Sequence, residues 1–485
     1  MIDVPYFSSR LCIHNMKIFI FIYFCLFTPL LVFTQSSKPN FIFILTDDHR
    51  WDALGVAGNT IVQTPQMDAL ATSGTYFKNA FSTTPICAAS RASILTGLYE
   101  RTHAYTFQKP VLQKPYAQVI YPKLLKESGY HVGFYGKLGV NIDSAASYFD
   151  KAEFYDRGTW GDRRGYFYKR IGRDTVHLTR YTGHQAIEFI KSAPADKPFC
   201  LSLSFSAPHG HDNSREQYFW QSTSDSLYAD VRIPEPLLSD DAYFTRLPKE
   251  VQEGFNRVRW KWRFDTPEKY QQMVKGYYRM ITEIDEEIGR IREQLSSKGL
   301  ADNTIIIVMG DNGYFLGDRQ LADKWLMYDM SIRVPLIVYD PRVKKRTIIE
   351  EMVLNIDVPK TILDMAGVAI PKSYQGESLL SFIGKSSGKL NRSAVLIEHL
   401  WPNPDIPSSE GIRTDRWKYF RYRFIKAPEE LYDLKHDPLE TNNLAGQKTY
   451  RRILEQLRKQ ADALSATYTS KKLVADDPFM NAKNF

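Results

Sequence analysis

Four short apolar runs, each stopping abruptly at residues capable of chemistry, constrain this chain more than any other feature. Asn40 to Leu45 leads into Thr46-Asp47-Asp48, and His131 to Tyr135 into Gly136-Lys137. Phe199 to Ser206 leads into Ala207-Pro208-His209, and Thr304 to Met309 into Gly310-Asp311-Asn312. Runs of this length without polar alternation read as strands buried on both faces. Helix-like segments lie between them. Thr64-Pro65 to Gly74 has a cap, a first-turn proline and a terminating glycine. From Pro267 to Leu295, Tyr270, Met273, Val274, Tyr277, Met280, Ile281, Ile284, Ile288 and Ile291 recur at helical spacing, a core-facing stripe. Strands alternating with helices predict an α/β fold with a large, mostly parallel mixed sheet flanked by helices. Its ligand site then lies off the carboxyl ends of the strands, where all four polar clusters converge.

The residue types at those ends describe a chemistry. Asp47 and Asp48 can reach one point only where the backbone turns, and two carboxylates there repel unless a cation relieves them. Asp311 and Asn312 add a third carboxylate and an amide oxygen, an all-oxygen set suited to Ca²⁺ or Mg²⁺ rather than zinc. Arg91, Lys137 and Lys324 are candidate anion ligands, and His209 follows an apolar strand where an imidazole can act as general acid. A metal, cations and a histidine together suit cleavage of an ester of a tetrahedral oxyanion such as phosphate or sulfate.

Lys17 and the apolar run Ile18 to Phe33 resemble a secretory signal, with Thr34 to Ser37 where cleavage falls, so residues 1–34 are expected to be a leader and the protein to be exported. Met16 is the expected true start. Thr28-Pro29 interrupts the run, which is short for a span of about 20 residues, so no stable membrane anchor is expected. Cys12 and Cys25 fall in the leader, leaving Cys87 and Cys200, too few for a disulfide framework. The 63 basic and 55 acidic side chains are scattered, which favours an acidic substrate over a nucleic-acid partner. A polar stretch at 384–389 separates an expected catalytic domain, 38–384, from a smaller C-terminal α+β unit, 385–485. That unit has strand-like Ala394 to Glu398 and Lys418 to Tyr422, an antiparallel sheet and a closing helix. Residues 141–185 and 212–265 are expected as long loops walling the substrate cleft.

Cys87-Ala88-Ala89-Ser90-Arg91, followed by Leu95-Thr96-Gly97, resembles the C-x-[PA]-x-R signature of the type I sulfatases. "NFIFILTDDHRWDALG" at 40–55, "TPQMDALATSGTYFKNAF" at 64–81, "APHG" at 207–210, "GDNGYFLGDRQLADKWLMYDMSIRVPLIV" at 310–338, "IRTDRWKYFRY" and "EELYDLKHDPLETNNLA" are similar to the same family. The resemblance covers nearly all of the chain after the leader and implies an alkaline-phosphatase-like fold. It implies that a formylglycine-generating maturase binds the segment while extended and oxidises Cys87 to an aldehyde. The hydrate then offers one hydroxyl to attack sulfur and a second that lets sulfate be eliminated. Carried over by residue, Asp47, Asp48, Asp311, Asn312 and the modified Cys87 hold Ca²⁺, Mg²⁺ being the lesser choice. Arg91 orients the formylglycine, Lys137 and Lys324 bind sulfate oxygens, and His209 protonates the leaving alcohol.

One departure stands out: many relatives read G-K-W-H where this chain has Gly136-Lys137-Leu138-Gly139. The histidine that contacts formylglycine is missing, so either His103, His131 or His211 covers it or activation rests on the metal and Asp311. The expected substrate is a sulfated polysaccharide or its oligosaccharides, with His211, Trp325, Glu398, His399, Trp401 and Arg413 as candidate sugar contacts. A phosphonate or phosphate-ester hydrolase of the same superfamily, or a non-catalytic binder of sulfated glycan, would keep the same residue set.

Overall fold

The computed structural model describes residues 1–5, 38–107, 111–155, 167–212, 214–385 and 388–469. The apolar run expected as a leader, with Met16, Cys12 and Cys25, lies outside the described residues; residues 39–485 form one unit. Among the described residues no helix is long and apolar enough to cross a membrane.

The four apolar runs are neighbours in one eight-stranded sheet. Its strands are β1 (Asn40–Thr46), β2 (Thr75–Phe77), β3 (His131–Gly136), β4 (Lys151–Phe154), β5 (Phe199–Ser204), β6 (Thr304–Gly310), β7 (Leu336–Tyr339) and β8 (Thr347–Ile349). They lie in the order β8-β2-β7-β6-β1-β5-β3-β4. β1 pairs in parallel with β5 on one side and β6 on the other, and β3 in parallel with β5 and β4. Only β7 is reversed, antiparallel to β6 and β2.

Side chains alternate across the sheet, so each strand feeds two cores. Phe41, Phe43 and Leu45 of β1 pack with Ala88, Ala92 and Leu95 of helix α2 (Cys87–Thr96), which follows α1 (Pro65–Ser73). Ile42 and Ile44 face the other way, onto Tyr277, Ile281, Ile284 and Ile288 of the long helix α5 (Pro267–Ser297). Thr266 caps α5 by accepting from the Lys269 amide, with Pro267 in its first turn. Phe41, Ile42 and Ile44 are wholly buried; such burial contributes about 1.5–3 kcal/mol per side chain.

Toward the C-terminus β9 (Val395–His399), β10 (Ser409–Arg413), β11 (Trp417–Tyr422) and β12 (Glu430–Asp433) form an antiparallel four-stranded sheet, closed by α6 (Arg451–Thr469). Its core is shared: Leu396, Ile412 and Phe420 pack with Phe81, Leu326, Tyr328 and Ile332.

The segments expected as loops hold regular structure. Lys151–Phe154 is the edge strand β4, Leu178–Ser192 is helix α3, and Phe255–Arg263 is helix α4. β4 is exposed or half-buried throughout, so its apolar signal is faint, and α4 carries four basic residues in nine.

Candidate active site

β3, β5, β1 and β6 are consecutive in the sheet and parallel, so their carboxyl ends come out side by side. Backbone bonds stitch the exits together. The Asp47 amide donates to Ala207 O at 3.1 Å, Asp311 to Thr46 O at 2.9 Å and Lys137 to Ser204 O at 2.9 Å. Asp48 adopts φ +63°, a left-handed conformation that aspartate tolerates, and its amide donates to Asp311 Oδ1 at 3.1 Å. That turn lets two sequence-adjacent carboxylates serve one site. Tyr277 fixes it: its hydroxyl donates to Asp48 O at 2.6 Å and accepts from the Arg50 amide at 3.0 Å.

Asp47, Asp48, Asp311 and Asn312 are all buried, at most 1% exposed. Three carboxylates cannot be kept there without opposing charge. Arg91 donates from Nε to Asp311 Oδ2 at 2.8 Å, lies 3.5 Å from Asp47 Oδ2 through Nη2, and bonds Lys137 O and Ser204 Oγ through Nη1. Lys137 pairs with Asp47 and Lys324 with Asp48. Burial works against the charge on Arg91, yet Asp311 and Asp47 outweigh it and raise its pKa; for Lys324, Asp48 does the same. Burial and then Asp47 push Asp311 up to about 6 against the pull of Arg91. His209 Nε2 stands 3.5 Å from Asp48 Oδ2. Cys87 is the first residue of α2, 5% exposed, and within electrostatic reach of Arg91 and Lys324. The unpaired amides of that first helical turn favour an anion beside it.

The donor set fits a hard cation. Asn312 donates through Nδ2 to Asp48 Oδ1 and Gly313 O, leaving its buried Oδ1 without a hydrogen bond, as is Asp48 Oδ2. Asp47, Asp48 and His209 also bring ligand atoms within 4.8 Å of one another. The carboxylate and amide oxygens suit Ca²⁺ or Mg²⁺, a set to which the His209 nitrogen does not belong.

The sulfatase family model matches residues 39–368, most of the chain. The chain belongs to the sulfatase family. A second family model, N-sulphoglucosamine sulphohydrolase, C-terminal, matches residues 317–467 of this sulfatase. The N-acetylglucosamine-6-O-sulfatase of Bacteroides thetaiotaomicron is 27% identical, aligned over 88% of this chain and 87% of its own. The ulvan-active sulfatase of Formosa agariphila is 28% identical over 88% and 80%. A protein solved in complex with its substrate D-glucosamine-2-N,6-O-disulfate superposes with a TM-score of 0.76 at 25% identity, covering 91% of this chain and 100% of that one. The phosphonate monoester hydrolase from Silicibacter pomeroyi shares the fold, with a TM-score of 0.74 at 22% identity over 90% and 97%.

Position 139 of this sulfatase is filled by its own arginine. Gly139 has φ +69°, and a Cβ there would lie 2.6 Å from Arg91 Cδ. Of the histidines considered in its place, His131 sits at the start of β3, the opposite end from Lys137, with its ring stacked on Phe189. His103 bonds Ser93 Oγ at 3.0 Å and the Tyr105 amide, and burial lowers its pKa to about 3. His211 packs against Phe167 and Phe219.

The candidate sugar contacts divide. Trp325 and Trp401 pack together around Ile86 and Ala89, next to Cys87, and Trp401 meets the half-exposed Phe107 edge to face. His399 is wholly buried against Trp401. Glu398 and Arg413 are not brought to the cluster. Glu398, also wholly buried, takes the Arg101 amide and guanidinium, and Arg413 pairs with Asp329 beneath the Phe81 ring. A sugar could reach them only by opening those ion pairs.

Several residues at the site carry no signal in the sequence. Ser90 donates to Asp311 O at 2.5 Å and accepts from Asn355 at 3.0 Å, tying α2 to the β6 exit. Ser204 bridges Arg91 and Lys137 O. Only the convergence of distant segments makes them visible.

Proposed function

We propose that this sulfatase is an exported enzyme that removes sulfate from a sulfated polysaccharide or its oligosaccharides, using formylglycine made from Cys87 and a bound Ca²⁺. The observation that carries this reading is the meeting of Asp47, Asp48, Asp311 and Asn312 with the Cys87 end of α2, the buried cations Arg91 and Lys324 and the partly buried Lys137. Asp47, Asp48, Asp311 and Asn312 would hold the ion, which supplies positive charge for the nucleophile and the sulfate oxygens. A formylglycine hydrate at position 87 would supply the attacking hydroxyl.

This chain's own residues do the rest. Arg91, anchored on Asp311, holds the group at position 87 one helical turn away. Lys137 and Lys324 stand on opposite carboxylates, Asp47 and Asp48, so a sulfate between them meets two cations. His209, beside Asp48, is placed to protonate the departing alcohol. Cys87 lies in a helix buried along its whole length, which supports modification by a maturase before folding. The N-acetylglucosamine-6-O-sulfatase and ulvan-active relatives support a glycan as substrate. The leader residues support export.

A panel of sulfated oligosaccharides, with phosphate and phosphonate monoesters as comparators, tests this reading. Sulfate release that a chelator abolishes and Ca²⁺ restores is the expected result. Faster turnover of phosphonates, or indifference to the chelator, would contradict it.

A further inference from the structure

We infer that helix α4 is the clamp that positions the sulfate-binding lysine: Asn256, Arg259 and Arg263 fix residues 322–325 and thereby where Lys324 points. The inference rests on the role given to Lys324 above. Lys324 sits between two residues in the left-handed region, Asp323 at φ +77° and Trp325 at φ +78°, and neither is glycine. A tryptophan rarely adopts that conformation unless its surroundings impose it.

What imposes it comes from α4. Asn256 Nδ2 donates to Ala322 O at 2.7 Å and to Lys324 O at 2.8 Å, so one amide bridges two carbonyls astride Asp323. Arg259 and Arg263 both take Asp323 Oδ2. The Arg259 guanidinium lies over the Trp325 ring, and Phe255 stacks on the same ring with centroids 6.1 Å apart. Trp325 in turn donates its amide to Pro85 O at 3.0 Å, two residues before Cys87. Both arginines also hold Asp212, three residues after His209. One helix therefore ties the Lys324 strap to the loop of the proposed general acid.

Charge gives the clamp a function beyond packing. Asp323 Oδ1 is 3.6 Å from Lys324 Nζ, a competitor for the lysine that faces Asp48. Both arginines sit on Oδ2 of that carboxylate and draw on its charge, so Oδ1, which carries no hydrogen bond, competes less for the lysine. Removing them returns Asp323 to Lys324 and weakens the lysine as an anion ligand. Asn256, Arg259 and Arg263 are thus positioning residues.

A double-mutant cycle on the Ca²⁺-loaded protein tests this. Asn256→Ala and Arg259→Gln are each made in the parent and in Lys324→Ala, reading the Kd of inorganic sulfate by calorimetry and KM for p-nitrophenyl sulfate. In the parent, each should raise both constants about ten-fold with a smaller change in kcat; on the Lys324→Ala background, each should add less than about two-fold. Equal losses on both backgrounds would overturn the clamp alone, because the residues would then act on the fold rather than through Lys324. Unchanged sulfate affinity in Lys324→Ala itself would remove the role of that lysine, and the clamp with it. If Asn256→Ala does not fold, Arg259→Gln decides by the same comparison.

Discussion

Gly139 and Arg91 show how one residue's freedom sets another's place. Any side chain at 139 meets Arg91 Cδ and must also accept φ +69°, which costs a non-glycine residue about 1–2 kcal/mol. Gly139→Ala should therefore lower the melting temperature and, by displacing Arg91 from Asp311, cut kcat/KM by roughly ten- to a hundred-fold; parental kinetics in that variant would show that Arg91 has room to spare. His209→Ala should slow esters of poorly leaving alcohols by about 10²–10⁴ while sparing activated aryl sulfates. Equal losses on both substrate types would remove His209 as the acid. The chemistry-bearing residues were legible in the sequence because carboxylates and a histidine at the ends of apolar runs violate the local pattern. Tyr277 was not: it sits on the apolar stripe of α5, and only its hydroxyl, reaching Asp48 O, separates it from its packing neighbours. Asn256 and Ser204 are likewise ordinary until segments distant in sequence meet.

At the scale of elements, the seam between the short helix at Glu100–His103 and β9 concentrates buried acid. Glu100 accepts from the Leu400 amide at 3.1 Å, and burial together with Glu398 raises its pKa from 4.5 to about 8. The folded protein thus keeps a proton that the unfolded chain releases above about pH 4.5. Stability from this group is intact below that pH and falls as pH rises toward 8. Glu100→Gln removes the slope, so its denaturant midpoint relative to the parent should climb between pH 5.5 and 8; a constant difference would mean that Glu100 is ionised throughout. The buried strands β1, β3, β5 and β6 could be read from their unbroken apolar runs, and the helix α5 from its periodic stripe. β4 and α4 could not, since an exposed edge strand and an Arg- and Trp-rich helix lack the apolar stripe on which such reading depends.

Across the whole molecule, the two sheets are joined by more than a linker. Phe420, Leu396 and Ile412 complete a core begun by Phe81, Leu326 and Tyr328, and Asp329 is paired with Arg413 and Lys418 across the junction. A chain ending at residue 384 would expose that face and strip Asp329 of both partners, a loss on the order of 3–5 kcal/mol for the ion pair alone. It should unfold without a sharp transition and bind an apolar dye; a fragment melting like the parent would show that the catalytic part stands by itself. The proposed mechanism makes Cys87 the precursor of the nucleophile in this sulfatase. It is tested most directly by the mass of the tryptic peptide Asn79 to Arg91, from protein made alongside a formylglycine-generating maturase. An aldehyde in place of the Cys87 thiol is the expected result. An unmodified thiol throughout, in cells where a control sulfatase is converted, would contradict it.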